Sequence, residues 1–235
     1  MKLKTALMGA VATAVLAPVM AYAGAHEGER GRDGEVKIIY WQAPSILHPF
    51  LSGGTKDIDS ASLVIEPLAR DDSSGALTPW LVDEVPTVAN GGVSEDLTSI
   101  TWKIAEGLEW SDGTAFTSRD VQFTYEYCTH PESGCAQATK FGGVTSVETP
   151  DDLTVVVNFE GPTPFPYGPF VGGESPILQA AQFADCMGAK APECTDENFG
   201  PIGTGPFAVS YTHLRAHETN NSISYAVFCL KRGGG

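Results

Sequence analysis

Basic residues are scarce in this 235-residue chain. Fourteen Lys and Arg face 29 Asp and Glu, which gives a formal net charge of −15. This balance argues against nucleic acid as a partner, because phosphates are neutralised by clustered basic side chains. It argues equally against electrostatic docking on anionic membranes. Charged residues make up only 18% of the chain and hydrophobic residues 42%. The chain can therefore bury a core and is not a disordered acidic tail.

Recognisable catalytic and metal-binding patterns are also missing. The sequence has no G-x-S-x-G, H-E-x-x-H, Walker A or C-x-x-C pattern. His26, His48 and His130 are scattered, and we interpret each as a surface or hydrogen-bonded side chain rather than a catalyst. We therefore expect no catalytic residue, no metal site and no cofactor. Two alternatives stay open: a secreted α/β hydrolase, which needs a nucleophile–base pair, and a secreted adhesion module held by disulfides.

No hydrophobic run is long enough to cross a bilayer. The longest extends from Ala6 to Ala17, after Lys2 and Lys4, and ends before Ala21-Tyr22-Ala23. It is too short for the roughly 30 Å hydrocarbon core. The basic start, apolar run and small residues predict a signal peptide over residues 1–23, with cleavage after Ala25 as the alternative. We expect export, most simply to a bacterial periplasm, without a lipid anchor because no Cys lies near the cleavage site.

Cysteines are few and unevenly spaced. Cys128 and Cys135 flank one turn-rich loop, Cys186 and Cys194 flank another, and Cys229 is left over. Two close pairs in an exported chain favour two local disulfides. Four cysteines allow three pairings, so the sequence favours the local pairing without excluding the others.

Apolar periodicity indicates a mixed α/β chain. A nearly continuous apolar run predicts a strand over residues 36–41, and strict alternation predicts half-buried strands over residues 99–104 and 153–159. Helical spacing predicts a helix from Asp59 to Leu68 and a second, short helix from Pro176 to Cys186. Residues 71–75 read as a turn and residues 77–88 as a loop packed on the core.

One local pattern predicts a turn followed by a helix start. Asp112-Gly113 is typical of a tight turn. Thr117 can cap the next helix, and Asp120, three residues later, places a carboxylate at the free amides of its first turn.

Three motifs follow one another in a specific order. The stretches are V-I-E-P-L-A-R (64–70) with G-A-L-T-P-W-L-V (75–82), then T-W-K-I through E-G-L-E-W-S-D-G-T-A-F-T to D-V-Q-F-T-Y-E (101–126), and finally P-I-G-T-G-P-F (201–207). From about residue 36 to 209 the chain resembles the family 5 extracellular solute-binding proteins, the dipeptide and oligopeptide receptors of ABC importers.

This resemblance implies a mixed α/β, periplasmic binding protein type II-like fold, whose two lobes close over a solute. It implies a partial chain: residues 24–63 as the first part of the main lobe, 64–185 as a smaller inserted α+β lobe and 186–210 as the return to the main lobe, with the second large lobe missing. It further implies a monomeric receptor, not an enzyme, whose partners are a peptide or other small solute and an importer permease.

Site residues follow from the same resemblance. Counting from His48-Pro49 places the ligand-contacting strand at Gly53, Gly54 and Thr55, with a plain flexible loop as the alternative for the two glycines. The matching positions Glu66, Trp110, Asp112 and Gly113 are interpreted as folding determinants rather than ligand contacts. The carboxylate that anchors a peptide amine in such receptors has no counterpart in this chain.

The C-terminal residues differ from the rest in charge. From Tyr211 onward Arg215, Lys231 and Arg232 stand against the single acidic Glu218, and Cys229 lies in the same segment. We predict that residues 211–235 are a non-native tail, translated from sequence joined to a gene fragment. A divergent genuine C-terminus is the alternative.

Overall fold

The structure is a computed structural model that describes residues 35–205, 207–208, 215–217 and 225–232, with side chains for residues 40–205. The predicted signal peptide therefore lies outside the described residues. No helix within the described ranges is long and apolar enough to cross a membrane.

A three-stranded antiparallel sheet forms the centre of the predicted inserted lobe. Its strands are β4 (Ser99–Lys103), β5 (Val144–Asp151) and β6 (Thr154–Phe159), in the order β4-β6-β5. Trp102 and Val155 pair across the sheet and are both fully buried. The predicted strands at 99–104 and 153–159 are thus confirmed. β5 was not predicted, because an edge strand with one face in solvent can be almost entirely polar.

Helix α2 (Ser118–Thr129) packs on this sheet and begins as predicted. The Asp120 carboxylate accepts a hydrogen bond from the Thr117 amide at 2.9 Å, and the Thr117 side chain accepts one from the Asp120 amide. This capping box satisfies amides that the first helical turn leaves free. The predicted turn at Asp112-Gly113 is also present, and Gly113 has φ of +84°.

The predicted helix from Asp59 to Leu68 is wrong in its bounds. Helix α1 runs from Thr55 to Ala61, and the chain then turns. Val64 is fully buried, but its carbonyl accepts a hydrogen bond from the Gly205 amide at 2.9 Å instead of an amide of a continuing helix. Pro67, which lacks an amide hydrogen, also cannot extend an α-helix. The helical spacing of the apolar residues therefore predicted which positions are buried, but it did not predict where the helix ends.

A hairpin, two short α-helices and three 3₁₀ turns complete this region. Strands β2 (Ala69–Asp71) and β3 (Leu77–Pro79) pair antiparallel where a turn and a loop were predicted. The predicted helix at 176–186 shrinks to α3 (Ala180–Phe183), because the Ile177 amide bonds the Glu66 carbonyl and keeps the preceding chain extended. Helix α4 covers Thr195–Phe199, and 3₁₀ turns cover Pro49–Leu51, Ala138–Phe141 and Gly188–Glu193.

A further sheet pairs residues 35–40 with strands from the C-terminal part of the described chain. Strand β1 (Glu35–Tyr40), which confirms the predicted strand at 36–41, pairs antiparallel with β9 (Tyr225–Arg232). The other edge of β9 pairs with β7 (Phe207–Ala208) and β8 (Arg215–His217). Strand pairing uses backbone groups that any sequence carries, so the origin of residues 211–235 stays a prediction. The domain bounds likewise stay predictions.

Candidate functional site

The three residues predicted to contact ligand lie at the start of helix α1. The Gly54 carbonyl accepts hydrogen bonds from the amides of Asp57 (2.9 Å) and Ile58 (3.1 Å), and the Gly54 amide donates to Ser52 Oγ at 3.1 Å. Both backbone polar groups of Gly54 are therefore used in hydrogen bonds at the start of the helix. Gly53 and Thr55 are exposed. Among the described residues, the backbone of Gly53 makes no hydrogen bond, so Gly53 is the member of the trio whose backbone is free to bind an extended ligand.

A cavity of about 370 Å³ opens beside Thr55. Its walls are the outer face of α1, strand β2 and the turn at 172–174. Its lining residues are Thr55, Ile58, Asp59, Ser62, Arg70, Asp71, Gly172, Gly173 and Glu174. Thr55 thus belongs to a concave surface, whereas Gly53 and Gly54 are not among the lining residues. Sequence reasoning missed Arg70 and Asp71 as wall residues, because the β2–β3 hairpin that presents them was itself not predicted.

The charged side chains that line this cavity interact with neighbouring residues. The Arg70 guanidinium lies 4.3 Å from the centre of the Trp80 ring and donates to the Ser62 carbonyl at 3.1 Å. Glu174 pairs with Lys140 at 2.8 Å. The Asp59 carboxylate accepts a hydrogen bond from the Tyr40 hydroxyl, and this bond raises the pKa of Tyr40 to about 12. The cavity wall therefore carries charged side chains of both signs, and neighbouring groups hold Asp59, Arg70 and Glu174 in place.

The interpretation of His48 as a surface or hydrogen-bonded side chain was wrong. His48 is fully buried, with its ring centre 5.2 Å from that of Tyr127 and 5.0 Å from that of Phe183. Neither ring nitrogen has a hydrogen-bond partner among the described residues. Burial lowers its pKa to about 3. The imidazole is a neutral aromatic that packs residues 47–51 against α2 and α3.

The motif residues interpreted as folding determinants make contacts within the fold. Glu66 accepts a hydrogen bond from the Thr204 hydroxyl at 3.0 Å, which links the first motif to the last. The Trp110 indole donates to the Asp120 carboxylate at 3.3 Å. Asp112 accepts a hydrogen bond from Gln179 at 2.9 Å, and further hydrogen bonds from Thr114 help to hold its pKa below the ordinary range. Each of these polar side chains is thus engaged in linking distant segments.

Both local cysteine pairs are joined in the structure. Cys128 bonds Cys135, with Cα atoms 5.2 Å apart, and Cys186 bonds Cys194, with Cα atoms 5.9 Å apart. The Cys229 side chain lies outside the described residues. The bonds close the loops after α2 and α3, next to the aromatic cluster around Tyr127 and Phe183.

Comparison with known proteins decides the family. Residues 76–225 match the profile of the bacterial extracellular solute-binding proteins, family 5, middle region. The chain belongs to this family. A candidate ABC transporter peptide-binding protein of Brucella ovis is 32% identical over 119 residues, which are 49% of this chain and 21% of that protein. This family 5 chain therefore spans about a fifth of the length of that relative.

Solved structures share the fold of this family 5 chain. The oligopeptide-binding protein AppA from Bacillus subtilis, in complex with a nonapeptide, matches with a TM-score of 0.63 and 19% identity, covering 78% of this chain and 34% of AppA. NikZ from Campylobacter jejuni, in complex with Ni(L-His), matches with a TM-score of 0.57 and 22% identity, covering 71% of this chain and 31% of NikZ. The chain thus has part of the mixed α/β, periplasmic binding protein type II-like fold that the motifs implied.

Proposed function

We propose that this chain is part of the periplasmic substrate-binding component of an ABC importer for oligopeptides or dipeptides. The component delivers its solute to a membrane permease and is a monomer, not an enzyme, with no cofactor of its own. The family match over residues 76–225 carries this proposal. The peptide-binding name of the Brucella relative and the nonapeptide held by AppA support the peptide class.

Backbone recognition at Gly53 is the local feature that fits a peptide. Extended peptides are bound by strand-like main-chain hydrogen bonds, which leave side chains free to vary. Gly53 is exposed and precedes α1, and a Cβ placed there would meet nothing within 4 Å. Thr55 follows at the mouth of the charged cavity. We propose that an extended peptide pairs with Gly53 and passes the cavity beside Thr55.

The test of the ligand class is a thermal-shift screen on the full product of the gene that contains this chain. We expect members of a peptide library to raise its melting temperature, because a ligand that binds the native state stabilises it by mass action. If sugars, nickel or haem raise the melting temperature and peptides do not, the peptide assignment is wrong.

A pair of variants tests Gly53 in the same protein. Gly53→Pro removes the amide hydrogen of residue 53. Gly53→Ala keeps this donor, and its methyl group would meet nothing within 4 Å. Ser52 has φ of −144° and ψ of 134°, a conformation that a following proline accepts. We expect the proline variant to lose peptide affinity while the alanine variant binds as the parent does. Equal affinity of both variants and the parent would remove Gly53 from the site.

The 235-residue chain by itself should bind peptides weakly, because a two-lobed receptor holds its solute between both lobes. The chain covers 34% of AppA, which was solved with its nonapeptide bound. Calorimetric titration of the chain with the peptides that shift the full protein checks this. Micromolar affinity for the chain alone would contradict it.

A receptor of the same family for another solute is the second candidate. The similarity to NikZ, a protein solved with Ni(L-His), favours it. The nickel arm of the thermal-shift screen distinguishes the two candidates directly.

A further inference from the structure

A carboxylate lies beside one of the two disulfides. Ligand atoms of Cys186, Cys194 and Glu197 all lie within 4.8 Å of one another. Cys194 is the N-cap residue of α4, and Glu197 stands three residues later in the first turn of that helix. The C-x-x-E spacing therefore places the Glu197 carboxylate beside the Cys194 sulfur. Cys186 lies three residues after the last residue of α3. Within the described ranges, the Cys128–Cys135 pair has no third ligand of this kind.

The backbone around this group is held by contacts other than the disulfide. The Asn198 amide donates to the Cys194 carbonyl at 2.9 Å, and the Asn198 side chain donates to the Ala191 carbonyl at 2.8 Å. Asn198 is buried, and its own carbonyl accepts a hydrogen bond from the Leu47 amide at 3.0 Å. The Cys186 amide donates to the Phe183 carbonyl at 2.9 Å. The two loops are joined by Gln182 of α3, whose side-chain amide donates to the Gly200 carbonyl at 2.9 Å and whose side-chain oxygen accepts a hydrogen bond from the Ile202 amide at 2.8 Å. These two bonds do not depend on the disulfide and would keep α3 beside the segment that follows α4 after the disulfide is cleaved.

We propose that the reduced form of this chain binds one Zn²⁺ through Cys186, Cys194 and Glu197. A dithiol reductant supplies two electrons and two protons to the disulfide and is itself oxidised to a disulfide. The metal then displaces both thiol protons and binds two thiolates and one carboxylate oxygen, with water as the fourth ligand. Thiolates on one zinc ion lie about 3.8 Å apart, given Zn–S bonds of about 2.3 Å in a tetrahedron. Cysteines with Cα atoms 5.9 Å apart reach this separation by side-chain rotation alone.

The site is gated by oxidation state. While the disulfide is intact, neither sulfur is a thiolate, and thiolates are the form that binds metal. The oxidised chain therefore holds a covalent cross-link, and the reduced chain holds a metal cross-link between the same two loops. Either bond ties the start of α4 to the end of α3.

Cobalt titration tests the proposal, because Co²⁺ reports its sulfur ligands by charge-transfer absorption in the near ultraviolet. The chain is reduced with dithiothreitol, freed of it by gel filtration under argon, and titrated with Co²⁺ and then Zn²⁺. We expect one equivalent of Co²⁺ to bind with thiolate absorption and to be displaced by Zn²⁺. The oxidised chain should show no such band. A reduced chain without the band overturns the proposal.

Matched variants locate the site. The band should vanish in the Cys186→Ser/Cys194→Ser variant and remain in the Cys128→Ser/Cys135→Ser variant, which removes the other pair. The opposite pattern overturns the assignment. Glu197→Gln, at a half-buried position, leaves both thiols in place and should weaken Zn²⁺ binding by about tenfold or more. Unchanged affinity in Glu197→Gln overturns the carboxylate's role even if a serine variant fails to fold.

Discussion

The close approach of Gly203 to Val64 makes the sharpest stability prediction. A Cβ built on Gly203 would lie 1.9 Å from the Val64 carbonyl oxygen and 2.6 Å from its carbonyl carbon. Both atoms belong to the backbone, so no side-chain rotation relieves the clash. The segment is also fixed from two sides, since the Ser111 amide donates to the Gly203 carbonyl at 2.8 Å and the Gly205 amide donates to the Val64 carbonyl at 2.9 Å. Gly203→Ala must therefore displace the segment around Gly203 from Val64 and Ser111.

The expected cost combines two effects. Forcing extra volume into a packed site costs about 1–3 kcal/mol. Lengthening or breaking one of the two backbone hydrogen bonds costs about 0.5–1.5 kcal/mol more. We therefore expect the free energy of unfolding to fall by about 2–4 kcal/mol. In a domain of this size a loss of about 3 kcal/mol lowers the melting temperature by about 6–12 °C.

Urea denaturation followed by tryptophan fluorescence measures this loss, with Gly161→Ala as the matched control. A Cβ at Gly161 meets nothing within 4 Å. Alanine restricts the unfolded chain at both positions alike, so the difference between the variants isolates the clash. We expect Gly161→Ala to unfold within about 0.5 kcal/mol of the parent. A Gly203→Ala midpoint equal to that of Gly161→Ala would refute the close approach.

Three further perturbations have calculable outcomes. Asp120→Ala should cost about 2–4 kcal/mol in the same urea assay, because it removes a helix cap and leaves the buried Trp110 indole unpaired; a loss below about 0.5 kcal/mol would contradict the capping box. For His48, the folded pKa of about 3 lies below the ordinary 6.5, so its contribution to stability is full above pH 6.5 and falls as the pH drops towards 3. Between pH 6 and 4.5 the free energy of unfolding of the parent should fall by about 1.4 kcal/mol per pH unit more than that of His48→Phe, because the unfolded parent binds one proton that the folded protein does not. Equal slopes would contradict the burial of a neutral His48. Cys128→Ser/Cys135→Ser should lower the free energy of unfolding by about 2–3 kcal/mol, the loop-closure cost of a short cross-link, and an unchanged urea midpoint would speak against that bond.

Patterns that depend on neighbouring residues were predictable from the sequence. The strands around Trp102 and Val155 follow from period-two alternation, which any half-buried strand must show. The capping of α2 follows from Thr117 and Asp120, because both partners of a capping box lie within one helical turn. The motif order led to the family for the same reason, since each motif is a local stretch of sequence.

Features formed by distant residues were not predictable. The apolar positions after Ala61 have helical spacing, yet the chain there turns because Val64 bonds Gly205 from a segment far along the sequence. His48 looked like a polar surface residue, and only the packing of Tyr127 and Phe183 around it makes it buried and neutral. The cavity beside Thr55 could likewise not be predicted, because part of its wall belongs to the β2–β3 hairpin.

The sequence by itself determined the acidic character, the two close cysteine pairs, the strands of the small sheet, the start of α2 and the family, because each depends on composition or on residues a few positions apart. Only the tertiary structure decided which backbone groups of Gly53 and Gly54 are free, where α1 ends, and that Glu197 lies beside the Cys186–Cys194 pair. These outcomes depend on contacts between segments that the chain brings together only on folding. No periodic pattern in the sequence records such contacts, because the energy that selects them comes from packing and hydrogen bonds across the fold.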